Sequence, residues 1–320
     1  MKRKRYIIAY AIMLAMLIIS DIFGRKFIAA ESAMLAFGLL CTDKIPWKTD
    51  KVRTLILTAL AAAVGYAAQK YIPFPDYFKL LIAIGVTGII SILADCKLMS
   101  VYAVSAAPII FGLTDLVYPI MITAMTAVIC ITWRIMVNTG MKEGSLRFRY
   151  LPDFESDMSL WTLMLVGMAV LALYPFYARE LLILSPPILT VYAESCYRDL
   201  RGKRIRIIFV TAVAAVAGVL SEYFISGVLG MPRCVGASVA LVLTVLEMNL
   251  MAMPFAPICA VALVPYLTDV DFFAFPIQTA VSTAAVLVMG GMIRGKAFHR
   301  RRVKGKHAKG RNRDVNEEKQ

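Results

Sequence analysis

The sequence predicts an all-α fold, a polytopic bundle of transmembrane helices, and three observations predict it. The 320 residues are 60% hydrophobic and 18% charged, with a mean hydropathy of +0.72, whereas a soluble domain carries about a quarter charged residues. Long apolar stretches recur from one end to the other, several near the roughly 20 residues that span a hydrocarbon core. The chain also resembles itself: VRTLILTALAAAVGYAAQKYI from Val52 returns, 153 residues on, as IRIIFVTAVAAVAGVLSEYFI from Ile205. Arg53, Thr58, Ala59, Ala61, Ala62 and Gly65 thereby fall on Arg206, Thr211, Ala212, Ala214, Ala215 and Gly218. Further along, Leu113-Thr114-Asp115 matches Leu267-Thr268-Asp269, and Tyr118-Pro119-Ile120 matches Phe275-Pro276-Ile277. A period near half the chain length points to a duplicated unit, not a solenoid of short repeats.

The clear spans are Tyr6–Phe23, Val52–Ile72, Leu80–Leu93, Pro119–Met136, Leu160–Phe176, Ile207–Ile225, Val235–Leu250 and Phe272–Met292. The first follows Met1, Lys2, Arg3, Lys4 and Arg5. With no A-x-A-like cleavage site and another apolar segment close behind, it reads as an uncleaved helix. Between these spans lie four shorter apolar pieces, Phe27–Cys41, Met99–Gly112, Glu180–Cys196 and Ala252–Pro265. At about 14 to 17 residues each they fall below the usual spanning length.

Charge decides how the short pieces run. If all twelve segments cross and the N-terminus is cytoplasmic, every Lys and Arg but Arg25, Lys26, Lys70, Lys79, Arg179 and Arg233 lies on the cytoplasmic side. The positive-inside bias favours that arrangement over re-entrant loops. It gives two six-segment parallel repeats, four of the twelve segments being short or broken, related by an axis along the membrane normal. The expected organisation is a first membrane repeat at 1–137, a cytoplasmic linker at 138–158, a second repeat at 159–293 and a basic cytoplasmic tail at 294–320. The tail is too charged to fold alone and reads as a solvated topology anchor with possible contact to anionic lipid; no nucleic-acid role is expected.

Ionisable or proline-broken positions inside spans are the candidates for chemistry. Glu31 heads them, inside the segment Phe27–Cys41 and followed by Ser32, which aligns with Ser185 ahead of Pro186 and Pro187. Ser105 is a polar residue of the matching short segment in the first half, and Pro254 and Pro257 interrupt its second-half equivalent. Short, broken segments in corresponding places are the sequence pointer to a site between repeats. Thr58 and Gly65, with Thr211 and Gly218, lie on small-residue faces expected to pack between the halves. Asp115 and Asp269 are expected to cap helix N-termini. Asp95, Glu194, Glu222 and Glu247 lie near span ends, where salt bridges are expected.

Other chemistries are set aside. The six cysteines are scattered with no C-x-x-C pair, so neither a metal site nor a disulfide framework is indicated. Both histidines, His299 and His307, fall in the tail. The run Gly290 to Lys296 mimics a phosphate-binding loop, but Ala297 replaces the required Ser or Thr and no strand precedes it. No catalytic group, metal or cofactor is expected, and the protein is not read as an enzyme.

The stretch Leu184–Arg206 (LSPPILTVYAESCYRDLRGKRIR), the small-residue helix after it and Met253-Pro254-Phe255-Ala256-Pro257 resemble the HPP family of integral membrane proteins. The pattern Phe27-Ile28-Ala29-Ala30-Glu31 with Ile45-Pro46-Trp47, and Ser105-Ala106-Ala107-Pro108 later, resembles HPP-like bacterial proteins of two such units. The family's His-Pro-Pro tripeptide would fall on Met253-Pro254-Phe255, and on Met99-Ser100-Val101 in the first half, keeping one proline and no histidine. The resemblance covers roughly 25–135 and 178–293 and implies small-anion transport, with nitrite proposed for plant members. The basic loop and Ala/Gly-rich span are more weakly similar to fusaric-acid-resistance-type exporters of aromatic acids. The expectation is a secondary transporter or permease for a small, anionic solute in a bacterial plasma membrane, both termini cytoplasmic. A non-transporting scaffold or envelope factor is the alternative.

Overall fold

The computed structural model describes residues 2–24, 27–42, 47, 49–96, 98–142, 187–188, 190–191 and 203–288. Among them the regular elements are helices: α1 Lys2–Ile22, α2 Phe27–Ala36, α3 Lys51–Tyr71, α4 Asp76–Leu93, α5 Ser100–Ile110, α6 Val117–Asn138, α7 Arg204–Ser221, α8 Arg233–Leu250, α9 Pro257–Leu267 and α10 Ala274–Val288. Two π-helical turns extend this set, Phe37–Cys41 after α2 and Glu222–Val228 after α7. The span expected at Leu160–Phe176, most of the short segment Glu180–Cys196, the linker beyond Lys142 and the basic tail lie outside the described residues.

Six helices, α1, α3, α4, α6, α7 with its π turn, and α8, are long and apolar enough to cross a membrane. Their outward faces are apolar as well. On α4 the exposed positions from Ile82 onward are Ile82, Val86, Ile89 and Leu93, at helical spacing, while the buried ones include Ala83, Thr87, Gly88 and Ser91. On α3, Val52, Ile56 and Leu60 face out, and Thr54, Thr58, Ala61, Ala62 and Gly65 face in. Water does not tolerate so continuous an apolar surface, and small residues inside with large aliphatics outside is the arrangement of helices packing in lipid. The chain is an integral membrane protein.

The short helices form the middle. Every residue of α5 from Ser100 to Ile109 and of α9 from Pro257 to Tyr266 is buried, as is α2 with its π turn from Ile28 to Cys41. In the first half α3 packs on α4, α5 and α6; in the second α7 packs on α8 and α9. Backbone closes on backbone at matched places. A Cβ on Gly65 would sit 2.2 Å from the Ser105 carbonyl oxygen, and one on Gly218 would sit 2.4 Å from that of Ala262. This corrects the expected role of Gly65 and Gly218, because each closes on the short helix of its own half and not on the other half. The hydroxyls of Thr58 and Thr211 likewise turn back to their own helices, donating to Thr54 O (2.8 Å) and Ile207 O (2.7 Å), so neither is spent on an inter-half bond.

Further matched details accompany this packing. α4 and α8 each end in a non-glycine residue of left-handed conformation, Asp95 (φ 46°) and Ala252 (φ 48°). The next N–H groups, of Cys96 and Met253, reach back to Ser91 O (3.0 Å) and Met248 O (2.9 Å), closing the helices in the Schellman manner. The offset between the similar stretches is 153 at Gly65 and Gly218 but 157 at Asp95 and Ala252. The extra residues of the second half fall where the π turn Glu222–Val228 loosens the end of α7. One expected cap is corrected: Asp269 pairs with Arg233 (2.9 Å). Asp271 is the residue that accepts from the N–H groups of Phe273 (3.0 Å) and Ala274 (2.6 Å) at the start of α10.

Because backbone lies against backbone at the two glycines, no side chain can yield. Gly65→Ala and Gly218→Ala are each expected to cost about 1–3 kcal/mol of stability, read as a lowered thermal midpoint of the detergent-solubilised protein. Gly227→Ala, whose Cβ would meet nothing nearer than 3.9 Å, is the control and should stay within about 0.5 kcal/mol.

Candidate functional site

Among the described residues the two halves meet where α2 packs on α9 and α1 packs on α8. Hydrogen bonds cross this seam from the Tyr6 hydroxyl to Asn249 Oδ1 and from the Tyr10 hydroxyl to Ser238 O, each 3.2 Å. Tyr266 of α9 also meets Ser20 and Asp21 of α1. A pair of short helices thus lies at the seam, α2 bringing Glu31 and Ser32.

Glu31 is 7% exposed, and no described residue hydrogen-bonds its Oε2 atom. A buried acceptor left without a donor is costly. Ser32 beside it is buried and donates to Met125 Sδ of α6 (3.4 Å), a weak acceptor. Tyr118, at the start of α6, lies close enough to the Glu31 carboxyl to interact with it electrostatically.

Tyr118 ties this spot to a feature that sequence reasoning passed over. The prolines inside the short helices are Pro108 of α5 and Pro265 of α9, at matched positions. A proline inside a helix removes the N–H that would serve the carbonyl four residues earlier. For Pro108 that carbonyl belongs to Val104, and the Tyr118 hydroxyl donates to it at 2.7 Å. The position matching Tyr118 is Phe275, which has no hydroxyl to offer Val261. The signal was present in the paired Tyr118-Pro119-Ile120 and Phe275-Pro276-Ile277, but which carbonyl each ring meets is a matter of packing.

The other described candidates have local partners or positions of their own. Ser105 is buried, donates to Tyr102 O of its own helix (2.9 Å) and presents its carbonyl to Gly65, so it is a packing residue. Pro254 is exposed and precedes α9, and Pro257 opens that helix in its first turn. Neither breaks it, because a first-turn proline gives up an N–H that had no helical partner. Pro187 is buried, with its carbonyl accepting from Thr190 Oγ1 at 2.7 Å; Ser185 and Pro186 lie outside the described residues. Glu247, expected in a salt bridge at a span end, is 8% exposed on the inner face of α8, with neither carboxylate oxygen hydrogen-bonded.

The far end of α2 carries the opposite chemistry. Arg5, 5% exposed, donates from Nη2 to Cys41 O at 3.0 Å, and buried Lys142 donates to Leu39 O. Two cations thus serve the last carbonyls of the π turn, where the helix dipole is negative. Among the described residues no cluster of His, Cys, Asp or Glu could hold a metal ion. No family model matches the chain, nor does any curated protein or solved structure.

The proline–tyrosine pairing has a measurable consequence. Tyr118→Phe leaves the buried Val104 carbonyl without its donor and is expected to cost about 1–3 kcal/mol. In a Pro108→Ala background the helix N–H returns to Val104, and the same replacement should cost less. A double-mutant cycle on thermal stability reads the difference; equal losses in both backgrounds would sink the assignment.

Proposed function

We propose that the protein is a secondary transporter or permease for a small solute, with its site in the seam between two parallel duplicated units. The observation that carries this reading is Glu31, a 7% exposed carboxyl whose Oε2 has no donor among the described residues, where a short helix of one half packs on a short helix of the other. Intramembrane ionisable groups facing a bundle interior mark solute and ion pathways. Matched short segments are where transporter sites form. The sequence offset, the shared packing of α3 with α5 and α7 with α9, and the left-handed residues after α4 and α8 support the duplication.

The resemblance to the HPP family makes a small anion such as nitrite the solute to test first. Glu31 adds a condition: in a low-dielectric seam an anion and a carboxylate repel, so one of them must carry a proton as the anion passes. Both termini are placed in the cytoplasm of a bacterial plasma membrane, on the distribution of Lys and Arg.

Proteoliposomes holding the full chain should take up nitrite or formate faster with a proton gradient directed inward. Glu31→Gln should abolish that gradient-driven flux while elution on size exclusion and helical content stay as in the parent. Uptake of both anions by Glu31→Gln at the parent's rate would overturn the proposal.

A further inference from the structure

The expected orientation leaves six cations on the outer side, and Lys70, Lys79 and Arg233 are the ones among the described residues. Two of these are matched with acids. Lys79 pairs with Asp76 (3.3 Å), and Arg233 pairs with Glu222 (3.1 Å) and Asp269 (2.9 Å). Lys70, exposed in the last turn of α3, meets no carboxylate among the described residues. Its neighbours are phenols. Nζ donates to the Tyr66 hydroxyl at 2.7 Å and stands 5.2 Å and 5.5 Å from the centroids of the Tyr66 and Tyr71 rings. A lysine in a last turn suits the helix dipole, but the dipole requires neither ring.

The pair presents donors to an exposed surface. An ammonium carries three N–H groups, and the Tyr66 oxygen takes one of them. The Tyr66 hydroxyl accepts that bond and finds no acceptor for its own proton among the described residues. Tyr66 is itself buried on α3, so packing sets its ring in place. Beside the pair, Tyr71, Phe74 and Phe78 are exposed. Aromatic rings facing outward at the ends of membrane helices mark the headgroup level. The cation therefore stands where lipid phosphates lie.

We propose that Lys70 and Tyr66 hold the phosphodiester of an anionic phospholipid whose chains lie along the apolar outer face of α3. Hydrogen bonds from an ammonium to a phosphate are charge-assisted and strong. A zwitterionic headgroup would bring an ammonium of its own, which calls for a carboxylate, and Asp76 is already paired with Lys79. An anionic headgroup brings no such group. The second half lacks the pair, because Tyr66 and Lys70 fall on Val219 and Tyr223. The site goes beyond the permease reading, since it requires only the membrane and involves neither flux nor Glu31.

The test titrates the full chain in detergent with phosphatidylglycerol and phosphatidylcholine of identical chains, each carrying a photoreactive diazirine at the headgroup end, and maps the labelled peptides. Phosphatidylglycerol should label the stretch 66–78, and phosphatidylcholine much more weakly. Lys70→Gln should raise the half-saturating concentration at that stretch about tenfold, and Tyr66→Phe by a smaller factor. Lys70→Arg should keep the parent's value, and so should Glu31→Gln. Labelling at the basic N-terminus should be the same in all of these variants. Lys70 is exposed, so its replacements leave the packed interior untouched. Excess glycerophosphate should not compete; competition would assign the site to a free phosphate compound instead of a lipid. That result, equal labelling of the stretch by the two lipids, or an unchanged titration in Lys70→Gln would each overturn the proposal, whatever the outcome of the flux experiment.

Discussion

Hydrocarbon offers no hydrogen bonds, and a helix shorter than the membrane ends inside it. The architecture depends on how that constraint is met. The short elements α2, α5 and α9 are wholly buried and surrounded by long helices with aliphatic outer faces. Some of their terminal and proline-freed carbonyls are then served from other elements. Arg5 and Lys142 reach in to Cys41 and Leu39, and Tyr118 reaches Val104. Without those donors the short helices would carry bare carbonyls into an apolar interior, at a cost of about 1–3 kcal/mol each.

The same constraint explains why the glycines matter. A short helix makes few contacts along its length, so it must be held closely by the long helix beside it. Gly65 and Gly218 let α3 and α7 approach until backbone meets the carbonyls of Ser105 and Ala262. Threonines on those faces direct their hydroxyls back into their own helix, and so offer a neighbour a nearly apolar surface.

Glu31 and Glu247 are buried glutamates with carboxylate oxygens that no described residue hydrogen-bonds. Glu31 lies on the short helix that meets the other half and beside the tyrosine that serves Pro108's missing bond. The buried carboxyl and the tyrosine that serves the Val104 carbonyl therefore lie side by side.

The sequence by itself determined the class, the positions of the described spans, the short segments at Phe27–Cys41 and Met99–Gly112, and Glu31 as an intramembrane carboxyl, because hydropathy and length are properties of consecutive residues. The tertiary structure decided what depends on distance across the chain. Gly65 and Gly218 serve contacts within a half, Ser105 is packing, and Pro254 and Pro257 start a helix while Pro108 and Pro265 sit inside one. Asp269 pairs with Arg233 while Asp271 caps. Each of these turns on which neighbour lies within about 3 Å of a given atom, and helical periodicity names a face without naming what that face meets.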